Sequence, residues 1–196
     1  MQAEIAQEAL TQLTGPGLPI SQAANSVPSA PGLYAFHGGP DVWTQLQLGT
    51  PPDGRPLYVG KSEDSLLSRD VLTHAGTGKT GSSTLRRSFA ALLVADLNLV
   101  AQPRNPLKPA YFANYGLEPE GDARLTAWMH EHLTLSVWPN VQGVVLDELE
   151  TGVLVELQPP LNLNKVRTPW KEAVSQARRR LADDARKWPQ PPVNPQ

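Results

Sequence analysis

The chain has 196 residues and no cysteine. That absence excludes disulfides, thiolate-ligated zinc, Cys-held iron–sulfur clusters and thiol nucleophiles. Long apolar runs are also missing: none approaches the ~20 residues that a membrane-spanning helix needs. Met1–Leu13 holds no lysine or arginine and no extended apolar core, so no signal peptide is expected there. No internal repeat is visible. Charged residues make up only 18 % of the chain, and wholesale disorder is not expected. What is abundant is proline, at 20 residues, which points to many fixed loops. The expectation is a cytoplasmic protein with no membrane partner, of a length that fits one domain with appendages.

The net charge of −2 conceals an uneven distribution. Residues 1–54 hold four acids and no base, and residues 55–108 hold eight bases and four acids. Residues 109–164 reverse this, with one base and eight acids, and residues 165–196 hold eight bases and three acids. Two basic blocks flank an acidic one. Such a chain can present a basic face to a polyanion despite its near-neutral total, or carry a mixed solvated surface.

Residues 2–13 have helical composition, stopped by Gly15-Pro16-Gly17. Residues 14–31 are rich in Gly, Pro, Ser and Ala and read as a linker. Gly32–Phe36 and Pro56–Gly60 read as two short strands separated by turn residues, hence an antiparallel hairpin with an enlarged loop. Asp64–Ala75 is expected to be helical. A second helix, Thr84–Leu93, is expected to start at a Ser82 or Ser83 cap and to turn Leu85, Phe89, Leu92 and Leu93 inward. Residues 98–110 contain three prolines and read as loop. A helix over Asp122–His132 and a strand over Thr134–Trp138 follow. Asp147 is expected to cap a helix that stops before Pro159-Pro160, and a basic helix to run from Pro169 or Trp170 to Lys187. Residues 189–196 hold four prolines and read as a mobile tail.

Thr73–Thr80 nearly matches the G-x-x-x-x-G-K-[ST] phosphate loop, with Thr in place of the first Gly. That mechanism needs a buried strand leading in and a helix leading out. Here the approach is polar and helical in composition, so a nucleotide-hydrolysing loop is rejected.

Over Asp147–Leu157, helical spacing aligns Leu146, Leu149, Val153, Leu154 and Leu157, and Glu150 falls inside the apolar stripe. A carboxylate there must meet a cation or donors. It is either half of a structural ion pair or a metal ligand facing a cleft.

An ordered set of residues surrounds this acid: Gly32-Leu33-Tyr34, then Tyr58-Val59-Gly60-Lys61, then Arg69 eight residues beyond Lys61, then Glu150 nine residues before Pro159, then Asn162 in a P-x-x-N pattern. The set resembles the GIY-YIG nuclease superfamily, named for its two tripeptides, with Leu33 and Val59 in place of isoleucine. Lys61 and the Glu150–Pro159 spacing are similar to the family's repair branch. The resemblance covers roughly residues 31–165.

It implies an α+β fold, with a small antiparallel or mixed three-stranded sheet flanked by helices, helical insertions near 37–55 and 95–130, and a C-terminal helix. Residues 1–30 would then be an N-terminal helix and linker, 166–188 a basic helix and 189–196 the tail. It further implies a metal-dependent endonuclease acting on DNA, with Glu150 holding one Mg²⁺ or Mn²⁺, because an oxygen ligand suits a hard cation. Arg69 would donate to the phosphate. Tyr34 or Tyr58 would deprotonate water, and Lys61 would help a phenol of ordinary pKa ≈ 10 to ionise. Asn162 would orient a backbone segment or substrate group, and His74 is a further candidate. For DNA contact the candidates are Lys79, Ser83, Arg86 and Arg87 in the first basic block and, in the second, Lys165 and Arg167 within a stretch that also holds Lys171, Arg178-Arg179-Arg180 and Trp170. The competing reading is a non-catalytic nucleic-acid-binding module on the same fold. Breaking two strands would take a homodimer or two successive nicks.

Overall fold

The computed structural model describes residues 2–23, 25–51, 54–67, 73–105, 109–140 and 143–188. At its centre is strand β2 (Gly32–Gly38), paired antiparallel on one side with β3 (Tyr58–Ser62) and on the other with β6 (Leu133–Pro139). A two-residue strand β1 (Leu18–Pro19) adds to the far side of β6, so the sheet order is β1-β6-β2-β3 and β3 is an edge. The expected α+β architecture is present, with a four-stranded sheet. β4 (Ala101–Gln102) and β5 (Gly116–Leu117) form a separate two-residue ladder inside the segment expected to be an insertion.

Side chains alternate across a strand with period two, and β2 is buried on both faces. Tyr34 and Phe36 face the larger core, built with α3 (Pro40–Gln45), α4 (Thr84–Leu92), α5 (Pro119–His132) and α7 (Lys171–Arg186). Leu33 and Ala35 face the smaller core, built with α1 (Gln2–Thr14) and α6 (Leu146–Leu157). The register carries this across the sheet. Val137, opposite Tyr34, joins the first core, and Trp138, opposite Leu33, joins the second. Central burial on both faces explains why β2 reads as a continuous apolar run.

The stretch read as a linker is structural. Within residues 14–31, β1 pairs with β6, and Ile20 and Ala23 of the short helix α2 (Ile20–Ala23) are buried in the larger core. Its small residues serve close approach: a Cβ on Gly17 would stand 2.8 Å from the Thr134 hydroxyl oxygen. Asp147 is not a cap. Val145 precedes α6 without a side-chain cap, and Asp147 lies in the first turn, where its charge suits the helix dipole. α6 ends at Gln158, which takes the left-handed conformation before Pro159. For α4, Ser83 is the cap: its Oγ accepts the Arg86 amide at 3.0 Å. Of the helix expected over Asp64–Ala75, residues 68–72 lie outside the described residues, as does the 189–196 tail.

Candidate active site

The two tripeptides meet in the β2–β3 hairpin. Tyr34 stands opposite Gly60, and Tyr58 stands opposite Phe36, all on the face of the larger core. A Cβ on Gly60 would lie 2.5 Å from the Tyr34 hydroxyl and from its Cζ. Only glycine lets the Tyr34 ring lie flat over β3. A Cβ on Gly32 would lie 2.3 Å from the Trp138 carbonyl oxygen, so the first motif glycine also answers a close backbone approach.

Three rings cluster on this face. The Tyr34 and Tyr58 centroids are 6.2 Å apart, and those of Tyr34 and His74 are 5.5 Å apart. The Tyr34 hydroxyl and His74 Nε2 are 2.8 Å apart, and His74 Nδ1 is 2.7 Å from Ser83 Oγ. Tyr34 and His74 are almost fully buried, whereas Tyr58 is half-buried. Ser83, expected to touch DNA, is fully buried and serves both the α4 cap and His74.

β3 is an edge strand, so its outward backbone groups need partners. Asn162 supplies them. Its Oδ1 accepts the Val59 amide at 2.9 Å, and its Nδ2 donates to the Val59 carbonyl at 2.7 Å. The side chain therefore orients the backbone between Tyr58 and Gly60. α6 packs on the opposite face of the sheet, yet Glu150 reaches past the β3 edge into a cleft of about 640 Å³ that Tyr58 also lines. The other polar walls of the cleft include Thr84, Arg87, Asn162, Lys165, Lys171, Ser175 and Arg178. Glu150 is 8 % exposed, and its Oε2 accepts from Lys165 Nζ at 2.7 Å. Lys165 has a left-handed φ of +65°, a sparsely populated conformation for a non-glycine residue. Burial opposes its charge, but hydrogen bonds to Asp147 and Glu150 raise its pKa on balance.

Lys61 departs from expectation. By alternation it lies on the other face of β3 from Tyr58, and its Nζ is 2.5 Å from Glu63 Oε1 and 3.0 Å from Asp147 Oδ1. The hydrogen bonds to Glu63 and then Asp147 raise its pKa. Arg87 and Arg178 are two cations that interact electrostatically with Tyr58.

Arg86 departs too. Its guanidinium is fully buried, 3.0 Å from Asp122 Oδ2, and donates to the Asp122, Thr126 and Thr80 oxygens and to the His74 carbonyl at 3.1 Å. It holds the His74 segment and does not face solvent. Burial lowers its pKa, and the Asp122 charge opposes that. The same carboxylate accepts from the Gly78 amide and the Thr80 hydroxyl. Two donors of the Thr73–Thr80 segment, the Gly78 amide and the Thr80 hydroxyl, are thus engaged by an acid instead of being aimed at a nucleotide. Lys79 and Arg167 are exposed and are not among the residues lining the cleft, and Arg69 lies outside the described residues.

Asp122 was not among the sequence candidates, and Arg178 entered only as one of the Arg178-Arg179-Arg180 basic run. Arg178 had a signal: it lies four residues after Val174 and three before Leu181, both buried, so it falls on the inward face of α7 while Arg179 and Arg180 are exposed. Asp122, in an acidic first turn, gave none.

A divalent ion fits the donor set. Hard cations such as Mg²⁺ keep several water ligands and bind through one or two carboxylates plus phosphate oxygens, and one carboxylate opens on a polar cleft here. The Lys165 ammonium beside it shows that a positive charge is favoured at that oxygen. Among the described residues no group of three or more His, Asp or Glu side chains could hold an ion by itself.

The family model described as the GIY-YIG catalytic domain matches residues 51–183, about two thirds of the chain. The chain belongs to this family, whose members are nuclease-type domains that generally use divalent metals. The match begins beyond β2, and the pairing of β2 with β3 brings Gly32-Leu33-Tyr34 to the matched segment. No curated protein and no solved structure matches the chain.

Proposed function

We propose that the protein is a metal-dependent endonuclease that hydrolyses DNA phosphodiester bonds. One juxtaposition carries the reading: Tyr58, on the larger-core face of β3, and Glu150, from α6 on the other face of the sheet, line one cleft with Arg87, Lys165, Lys171 and Arg178. Hydrolysis of a phosphodiester needs an activated water, stabilisation of phosphate charge and help for the leaving oxygen. Tyr58, the tyrosine that faces the cleft, takes the proton of the attacking water, and the Arg87 and Arg178 charges beside it favour the phenolate. Tyr34 stands behind it. With the His74 Nδ1–H donating to Ser83, Nε2 accepts the Tyr34 O–H, so His74 is placed to hold that proton. Arg69 is kept as a phosphate ligand on the strength of the resemblance, and Lys61 acts on the site through Asp147. Glu150 would hold one Mg²⁺ or Mn²⁺, which when bound supplies Lewis-acid stabilisation of the leaving oxygen.

Supercoiled plasmid incubated with Mg²⁺ or Mn²⁺ tests this. The wild-type chain is expected to nick it, EDTA to abolish nicking, and Glu150→Gln to bind DNA without cutting. If the wild type cuts no duplex, branched or single-stranded DNA with any of several divalent metals, a non-catalytic binding module replaces the nuclease reading. A panel of nicked, flapped, branched and linear substrates separates a repair role from a restriction role. Concentration dependence of linear product separates a homodimer from successive nicks.

A further inference from the structure

The cleft is more positive than its acid requires. Lys165 is bonded to Asp147 and Glu150, whereas Arg87, Lys171 and Arg178 form no ion pair among the described residues. Arg87 is 7 % exposed; its Nη1 donates to the Gly81 carbonyl at 2.9 Å and to the Thr80 carbonyl at 3.5 Å, its Nη2 donates to Thr84 Oγ1 at 3.3 Å, and its buried Nε has no hydrogen-bond partner among the described residues. Burial first, and the Arg178 charge second, push its pKa down to about 10. Burial likewise lowers Arg178. With a pKa of about 10, Arg87 keeps its charge at neutral pH. Two largely desolvated guanidiniums that line one cleft with no acid paired to either are unfavourable unless an anion joins them. Their planar forks suit phosphate oxygens.

We infer that Arg87 of α4 and Arg178 of α7 form a second phosphate subsite, which takes a backbone phosphodiester of the bound strand other than the one beside Glu150. Lys171 and the Thr84 and Ser175 side chains complete its polar wall. The inference rests on the nuclease reading for its ligand, since it assigns to the same cleft the grip on a neighbouring phosphate. It also gives α7 a role: the helix brings Arg178 against α4, so chain beyond the catalytic sheet builds part of the substrate track.

The test is the affinity of the full chain for a fluorescein-labelled DNA duplex in EDTA, measured across a KCl series. Each phosphate contact contributes about 0.9 to the slope of log K against log [salt]. Arg178→Gln is expected to reduce the slope by about 0.9 and the Arg87→Gln/Arg178→Gln pair by about twice that. Arg178→Lys, which keeps the charge, is expected to retain the slope, and Arg179→Gln on the exposed face to change it less. An unchanged slope in Arg178→Gln, an equal loss in Arg178→Lys, or an equal loss in Arg179→Gln would each overturn the subsite. Cleavage measured in parallel keeps the two readings apart. A chain that cuts through Glu150 but shows no Arg178-dependent slope has lost the subsite alone. A chain that cuts nothing yet keeps the Arg178-dependent slope retains the subsite and loses the nuclease.

Discussion

Tyr34 and Tyr58 belong to similar tripeptides and lie on the same face of one hairpin, but they are not equivalent. Tyr58 lines the cleft, whereas Tyr34 is 1 % exposed with its hydroxyl on His74. A proton acceptor must reach the water it activates, and only Tyr58 lies where cleft water reaches it. Tyr58→Phe is therefore expected to slow single-turnover cleavage by about 10²–10⁴-fold, the usual contribution of a general base, and Tyr34→Phe by less. The reverse order in the same assay would transfer the role to the Tyr34–His74 pair. The glycines are decided at this scale as well: Gly60 is required because the Tyr34 ring occupies the space a Cβ would fill.

Among elements, α4 and α5 are joined by a buried pair, Arg86 with Asp122, which also ties down the Gly78–Thr80 loop and the His74 carbonyl. Removing one partner of such a pair strands a charge in the interior. Asp122→Ala is expected to lower unfolding free energy by about 3–5 kcal/mol, read from urea denaturation, with cleavage falling as the His74 segment loosens. A loss near that expected of an exposed acid would mean that Arg86 finds another acceptor. The edge strand shows the same dependence on a neighbour. β3 holds Tyr58 in place because Asn162 occupies both backbone groups of Val59.

Across the whole molecule, acid stability depends on a histidine remote from the cleft. His37 on β2 has its pKa lowered, chiefly by burial, and its Nε2 is 2.8 Å from Ser136 Oγ, which donates to the Leu13 carbonyl. A histidine held neutral in the folded state gains its proton more readily on unfolding. Its contribution is complete above the ordinary value near 6.5 and is lost as pH falls from there through the lowered folded value. The thermal midpoint is expected to fall as pH drops from about 7 to about 5, and to fall less steeply in His37→Gln. Equal slopes in both proteins would remove His37 from the account. The Asp147 carboxyl, held below its usual range by its hydrogen bonds to Lys165 and then Lys61, acts in the same direction at lower pH.

Local pattern was enough for the helices α1, α4, α5, α6 and α7, the β2–β3 hairpin, the inward position of Glu150 and the family, because periodicity, turn residues and ordered motifs are properties of neighbouring residues. Only the packed chain decided that residues 14–31 are structural, that Arg86 is interior, that Lys61 pairs away from the tyrosines and that Arg178 lines one cleft with Arg87. Those outcomes depend on which side of β3 a residue falls and on what another helix brings to it. Periodicity can turn a guanidinium inward on α7, but the charge that shares its cleft comes from α4, about 90 residues earlier in the chain.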